Sequence, residues 1–225
     1  MKRILTILSL QFAVLFANAQ SQSDSNYSFG FKLLSVEELP RMLNEVKSSS
    51  NFYYPKFNGL VLKVNDNQIS YRFQISNYKN DDYSFTNECS TCETVTGKYT
   101  DLNVKLGFER SMTYSALQPF YGIDLGYRST TFIGQSKDKS TSAPLYNADL
   151  EKNGALIYPF FGLKYTALKV ITISAEAGLD FLYSYDKEVK SNTSNTVQSV
   201  NNFKRWQYIT KPLGLLSLQF NFGEN

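Results

Sequence analysis

Between Ile69 and Asn77 the apolar residues Ile69, Tyr71, Phe73 and Ile75 alternate with Ser70, Arg72, Gln74 and Ser76. That period of two is the mark of a strand, whose successive side chains leave opposite faces. The pattern recurs at Leu102, Val104, Leu106 and Phe108, and again at Tyr121, Ile123, Leu125 and Tyr127. Pro159, Phe161, Leu163 and Tyr165 repeat it, although Phe160 falls among the polar positions. The longest run sets Ile171, Ile173, Ala175, Ala177, Leu179, Phe181 and Tyr183 against Thr172, Ser174, Glu176, Gly178, Asp180 and Ser184. Leu216, Leu218, Phe220 and Phe222 close the series.

The connections sort into two lengths. Asn65-Asp66-Asn67, the link 111–117 and the link 168–170 are short. The segments 79–97, 134–153 and 186–202 are long and rich in Ser, Thr, Asn, Asp and Lys. With 27–36 read as a first strand, 37–56 becomes a fourth long connection and the chain has eight strands with both termini at one end. A short helix over 36–43 would leave seven, and single-chain bacterial barrels use even numbers. The expected fold is therefore all-β: an eight-stranded antiparallel up-and-down transmembrane β-barrel with four long polar loops and short periplasmic turns.

One face of each ribbon is apolar and the other carries charge of both signs. Arg72, Lys105, Arg128 and Lys164 share polar faces with Glu109, Asp124, Glu176 and Asp180, and Lys63, Asp101 and Arg205 lie on polar faces as well. An eight-stranded barrel has an interior just wide enough for side chains to fill. The eight charges are accordingly expected to form a network in a lumen that holds no water-filled pore. Tyr99, Phe120, Tyr127, Phe132, Tyr158, Phe181, Tyr183, Trp206 and Tyr208 lie near strand ends, where they suit aromatic girdles at the two membrane surfaces. A soluble lipocalin-like barrel has the same period with its apolar face turned inward. Strand stretches of ten or more residues and the alternation of short and long connections favour the membrane orientation.

The chain opens with Lys2 and Arg3, a 13-residue apolar run from Ile4 to Phe16, and Ala17-Asn18-Ala19. A basic start, a short apolar stretch and a small-x-small site form a secretory leader, and the run is shorter than the roughly 20 residues of a spanning helix. Two segments follow: 1–19 as signal peptide and 20–225 as a single barrel domain exported to the bacterial outer membrane. With Lys2 and Arg3 removed, 21 basic residues face 20 acidic ones. A charge so near balance does not call for nucleic acid.

The end of the chain, Gly214-Leu215-Leu216-Ser217-Leu218-Gln219-Phe220-Asn221-Phe222, resembles the terminal signal by which outer-membrane proteins are handed to the barrel-assembly machinery. The region 57–222 is similar to the outer membrane protein β-barrel domain family, small Gram-negative barrels often without an assigned activity. The resemblance implies outer-membrane lipid and the assembly machinery as partners, with Leu216, Leu218, Phe220 and Phe222 as the assembly signal. Gly223-Glu224-Asn225 follow the last Phe, so the signal is not quite terminal.

Candidate chemistry is sparse. Cys89-Ser90-Thr91-Cys92 sits in a polar segment, and in an exported chain an even cysteine count reads as a disulfide closing a small loop. A redox pair would need a helix N-terminus to lower a thiol pKa. Zinc would need further ligands, and the chain contains no histidine. The resemblance to outer-membrane barrel hydrolases, which use a histidine base, fails on the same fact. Glu109, Asp124, Glu176 and Asp180 are expected to pair with the basic residues rather than to catalyse. The expected protein is a non-enzymatic barrel without metal or cofactor, with a structural or loop-mediated role. The alternative is a narrow barrel that binds or conducts small or hydrophobic ligands.

Overall fold

The computed structural model describes residues 25–43, 52–86, 93–194 and 196–224. The leader 1–19 and the pair Cys89 and Cys92 lie outside the described residues. The chain runs through β1 (Ser25–Glu38), β2 (Phe52–Tyr53), β3 (Lys56–Asp66), β4 (Ile69–Thr86), β5 (Glu93–Ser111), β6 (Leu117–Asp138), β7 (Pro144–Leu168), β8 (Ile171–Ser191) and β9 (Val197–Glu224). From β3 to β9 each strand pairs antiparallel with the next, and β1 joins β3 on one side and β9 on the other. Eight strands thus form a closed ring, and β2 hangs from the end of β1 through Glu37↔Tyr53 and Glu38↔Phe52. Closure leaves no free edge where the ring is complete, which is the condition for placing strands in hydrocarbon.

The expected first strand 27–36 lies within β1, and 36–43 forms no helix: Val36 to Glu38 end the strand and 39–43 are irregular. The short turns fall where expected. Asp66 faces Ile69 across a two-residue hairpin in which Asn67 takes the left-handed conformation, φ 51°, a position Asn tolerates. The links 112–116 and 169–170 close the same end.

The long polar loops are a correction. β4 runs on to Thr86, β5 and β6 pair from Glu93↔Asp138 downward, and β8 and β9 reach Ser191 and Val197. Most of 79–97, 134–153 and 186–202 is therefore strand, leaving short tips such as 139–143. The polar composition signals a change of surroundings. In this outer extension Tyr83, Phe85, Val95, Phe132 and Leu150 point inward and are buried, while Lys79, Asp82, Lys98, Asp149 and Lys187 point outward. That is the amphipathicity of a sheet in water, and a ladder of backbone hydrogen bonds needs no apolar outer face. At about 3.3 Å per residue a strand crosses a bilayer in 9–11 residues. β7 has 25 residues and β9 has 28, so more than half of each lies outside such a belt.

In the belt the polarity is reversed. Leu106 is 66 % exposed, Ile123 38 % and Ile173 43 %, whereas Lys105, Asp124 and Glu176 are exposed by 5, 0 and 2 %. The lipocalin-like orientation is thereby excluded: the apolar face looks outward and the charged face is enclosed.

Candidate functional site: the filled lumen

Side-chain parity decides what enters the lumen. On β5 the odd residues from Asp101 to Ser111 point inward, on β6 the even residues from Gln118 to Thr130, and on β8 the even residues from Thr172 to Lys190. These rows converge on a narrow axis, and the charges on them meet in layers.

Nearest the short turns, Glu109 lies between Lys63 Nζ at 2.8 Å, Lys164 Nζ at 3.2 Å and Arg72 Nη1 at 3.5 Å. One layer further out, Arg72 donates from Nε and Nη2 to Asp124 at 2.9 and 2.6 Å, and from Nη1 to Glu176 Oε2 at 2.6 Å. Its guanidinium lies over the Phe160 ring, 3.6 Å from the centroid. Next come Lys105, 3.6 Å from Asp180 Oδ1 and 3.5 Å above the Tyr158 ring, and Lys211, 2.9 Å from Asp180 Oδ2 and 2.8 Å from Glu37 Oε2. Arg128 then clasps Asp101 through Nε and Nη2, each at 2.9 Å, and reaches Asp180 at 3.4 Å. Above it Lys152 and Arg205 share Asp186 at 3.0 and 2.8 Å.

The eight charged residues singled out from sequence are all brought into this stack. Lys63, Asp101 and Arg205 join them, as do four that sequence reading passed over: Lys32, Glu37, Lys152 and Lys211. Glu37 and Lys152 belong to segments read as loops, and Lys211 lies beyond the alternating runs. Charges this deep are tolerable only when each has a partner with good geometry, since desolvation costs several kcal/mol per ion.

Four expected girdle residues turn inward instead. Tyr99, Phe120, Phe132 and Tyr158 are buried, whereas Tyr127, Tyr183, Trp206 and Tyr208 face outward. The signal was present in their parity: Phe120 shares a face with Asp124, Tyr158 with Lys164, Tyr99 with Asp101. Phe120, Tyr158 and Phe160 pack with Leu156, Leu182 and Ile209 beside the ion pairs. Glycines make room for the rings. A Cβ on Gly122 would stand 2.4 Å from Phe160 Cζ, and one on Gly178 would stand 2.4 Å from Tyr158 Cε2.

The outer mouth is closed by the chain's own first connection. Leu39, Met42 and Leu43 are buried against Tyr83, Phe85, Val95, Tyr99, Phe132 and Leu150, and Tyr53 of β2 packs with them. The segment is tied down at several points: Lys152 Nζ donates to the Arg41 carbonyl at 2.8 Å, and the Thr210 amide donates to Glu38 Oε2 at 3.0 Å. Tyr53 Oη accepts from Arg128 Nη2 at 3.0 Å. The cap and the ion stack are therefore one connected structure.

At the tip between β6 and β7, Asp138 Oδ1 accepts from the side chains and amides of Ser140 and Thr141 at 2.6–3.1 Å. The Ser140 hydroxyl is the largest contributor in holding this carboxyl down at about 2. Because the folded value is depressed, the turn's extra order is present above the ordinary Asp pKa of roughly 3.9 and is lost as pH falls through the folded value. An NMR titration of the tip amides should show a midpoint near 2, and a midpoint at the ordinary Asp value would remove these bonds from the solution structure.

The assembly-signal residues lie on β9 in the seam that closes the ring. Leu216, Leu218, Phe220 and Phe222 pair with Leu34, Phe31, Phe29 and Tyr27. Among the described residues no group of three or more Cys, Asp or Glu side chains is arranged to hold a metal.

No protein-family model and no curated protein sequence matches the chain. Among solved structures, a major outer membrane protein of Thermus thermophilus aligns over 87 % of this chain and 99 % of its own, at 10 % identity and a TM-score of 0.53. The fold is that of an outer-membrane β-barrel. The outer membrane protein OprG from Pseudomonas aeruginosa aligns over 90 % of this chain and 96 % of its own, at 10 % identity and a TM-score of 0.46. The Escherichia coli outer membrane protein W aligns over 88 % and 98 %, at 11 % identity and a TM-score of 0.39.

Proposed function

We propose that this chain is a non-enzymatic protein of the bacterial outer membrane, with a sealed barrel that anchors the outer strand extension for contact outside the cell. The observation that carries this reading is the unbroken succession of ion pairs and aromatic rings along the axis, from Glu109 to Asp186, ending under the cap of Leu39, Met42 and Leu43. Outer-membrane lipid is the partner of the apolar belt, and the C-terminal run from Leu216 to Phe222 is what the barrel-assembly machinery would receive. Catalysis has no support in the lumen, because each carboxylate there faces a cation at salt-bridge distance.

Planar-bilayer recording tests the seal. Purified protein should insert without stable single-channel steps, and reproducible ohmic steps in the intact chain would overturn the reading. A second reading, a binding barrel for small hydrophobic ligands, is favoured by the apolar chamber of the outer extension, which Leu39, Met42 and Leu43 fill. Native mass spectrometry separates the two, since a co-purified apolar adduct would displace the sealed structural role.

A further inference from the structure

The short-turn end of the barrel holds a polar chamber of about 70 Å³, between the 67–68 and 112–116 turns at its rim and Lys63, Glu109 and Lys164 at its floor. Three features of this chamber point to one class of ligand. Its charged lining is two lysines and a single carboxylate. That carboxylate is already occupied: Glu109 Oε2 takes Lys63 and Arg72, and Oε1 takes Lys164. An ammonium group has three donors, and each lysine directs one of its own to Glu109.

The third feature lies in the walls. Ser70, Ser111 and Gln118 are each more than nine-tenths buried, line the chamber, and form no side-chain bond with another described residue. Hydroxyl and amide groups need hydrogen-bond partners, and since none of these three is sealed from solvent without one, the partner reaches them through the chamber. Across the wall the same need is met internally, where Ser28, Asn221 and Thr172 bond to one another. The floor thus offers surplus positive charge and spare donors, and the walls offer neutral donors at hydrogen-bonding depth.

We propose that this chamber binds a small oxyanion, a carboxylate or phosphate group presented from the side of the short turns, held between Lys63 and Lys164 and oriented by Gln118 and Ser111. Charge-assisted bonds from both lysines would supply most of the affinity, and the enclosed position keeps salt from screening them. The size of the chamber admits the charged group and a few waters, not a whole sugar chain or peptide. The reading is independent of whether the barrel conducts or is sealed above the Glu109 layer.

The test uses the full-length protein in a detergent with an uncharged sugar headgroup, at ionic strength fixed with sodium chloride, titrated with inorganic phosphate, acetate or glycerol. Saturable NMR shifts at Gln68, Ser111 and Thr113 with phosphate or acetate are expected, and the two arms tell a tetrahedral from a planar oxyanion. Lys164→Gln should weaken binding about tenfold or more, the loss of one charged hydrogen bond, while Lys164→Arg keeps it. If Lys164→Gln does not migrate as a folded barrel on unboiled gels, Gln118→Leu serves instead, with a severalfold loss expected. Shifts that stay linear and match those of added chloride would overturn the proposal. So would saturation by glycerol alone, or oxyanion binding that survives both Lys164→Gln and Gln118→Leu unchanged.

Discussion

Replacing Arg72 by Met lowers the unfolding free energy of the barrel by about 3–5 kcal/mol, the usual cost of removing one partner from a buried ionic group. Arg72 is the hub of the inner layers, touching Asp124, Glu176 and Glu109 and lying against Phe160. Without it, Asp124 loses its only salt bridge and Glu176 likewise, among the described residues. Neither carboxylate can reach water to recover the loss. Urea titration followed on unboiled gels gives the shift directly. The control is the triple change Arg72→Met, Asp124→Asn, Glu176→Gln, which removes the charges together and should return most of the stability. A single variant as stable as the parent would mean that the lumen is wet enough to solvate the two carboxylates. The sealed-barrel reading would then fail with the prediction.

Placing an arginine on the outside of the belt has an effect of similar size for a different reason. Leu106→Arg puts a charge where Leu106 now points away from the lumen, on the face shared with Val104 and Phe108. At the middle of a bilayer such a change costs about 2–4 kcal/mol, falling toward zero near the interfaces. The matched control is Lys98→Arg on the outer extension of the same strand, an exposed residue paired with Asp81 at 2.9 Å across the water-facing sheet. Equilibrium unfolding in liposomes should show a large loss for the first and almost none for the second. Equal losses, or none for Leu106→Arg, would place both positions in the same medium, and the apolar belt would then face something other than lipid.

Much of this fold is legible in the sequence by itself. Alternation in 69–77, 102–108, 121–127 and 171–183 assigns strands and faces, because the direction of a side chain on a strand follows from its neighbours alone. The position of the short turns follows from the same local signals, and the choice of eight strands over seven rests on the even strand numbers of single-chain barrels. The same parity puts Arg72, Lys105, Glu109, Asp124, Arg128, Lys164, Glu176 and Asp180 on the polar face of their strands, while the inward turn of that face belongs to the closed ring.

What the chain does not write locally is who meets whom. Arg72 and Glu176 are 104 residues apart and touch because the ring closes with a particular stagger. Closure also decided which way each face turned, so that Phe120, Tyr158 and Phe160, already on the polar parity of their strands, went inside, where strand glycines leave room for rings. The reversal of polarity in the outer extension escaped sequence reading because polar composition marks water and does not distinguish a loop from a strand standing in it. The role of Leu39, Met42 and Leu43 was hidden for a like reason. A short apolar run with no period reveals that it will be buried, and only the assembled wall of β4 to β7 provides the chamber that buries it.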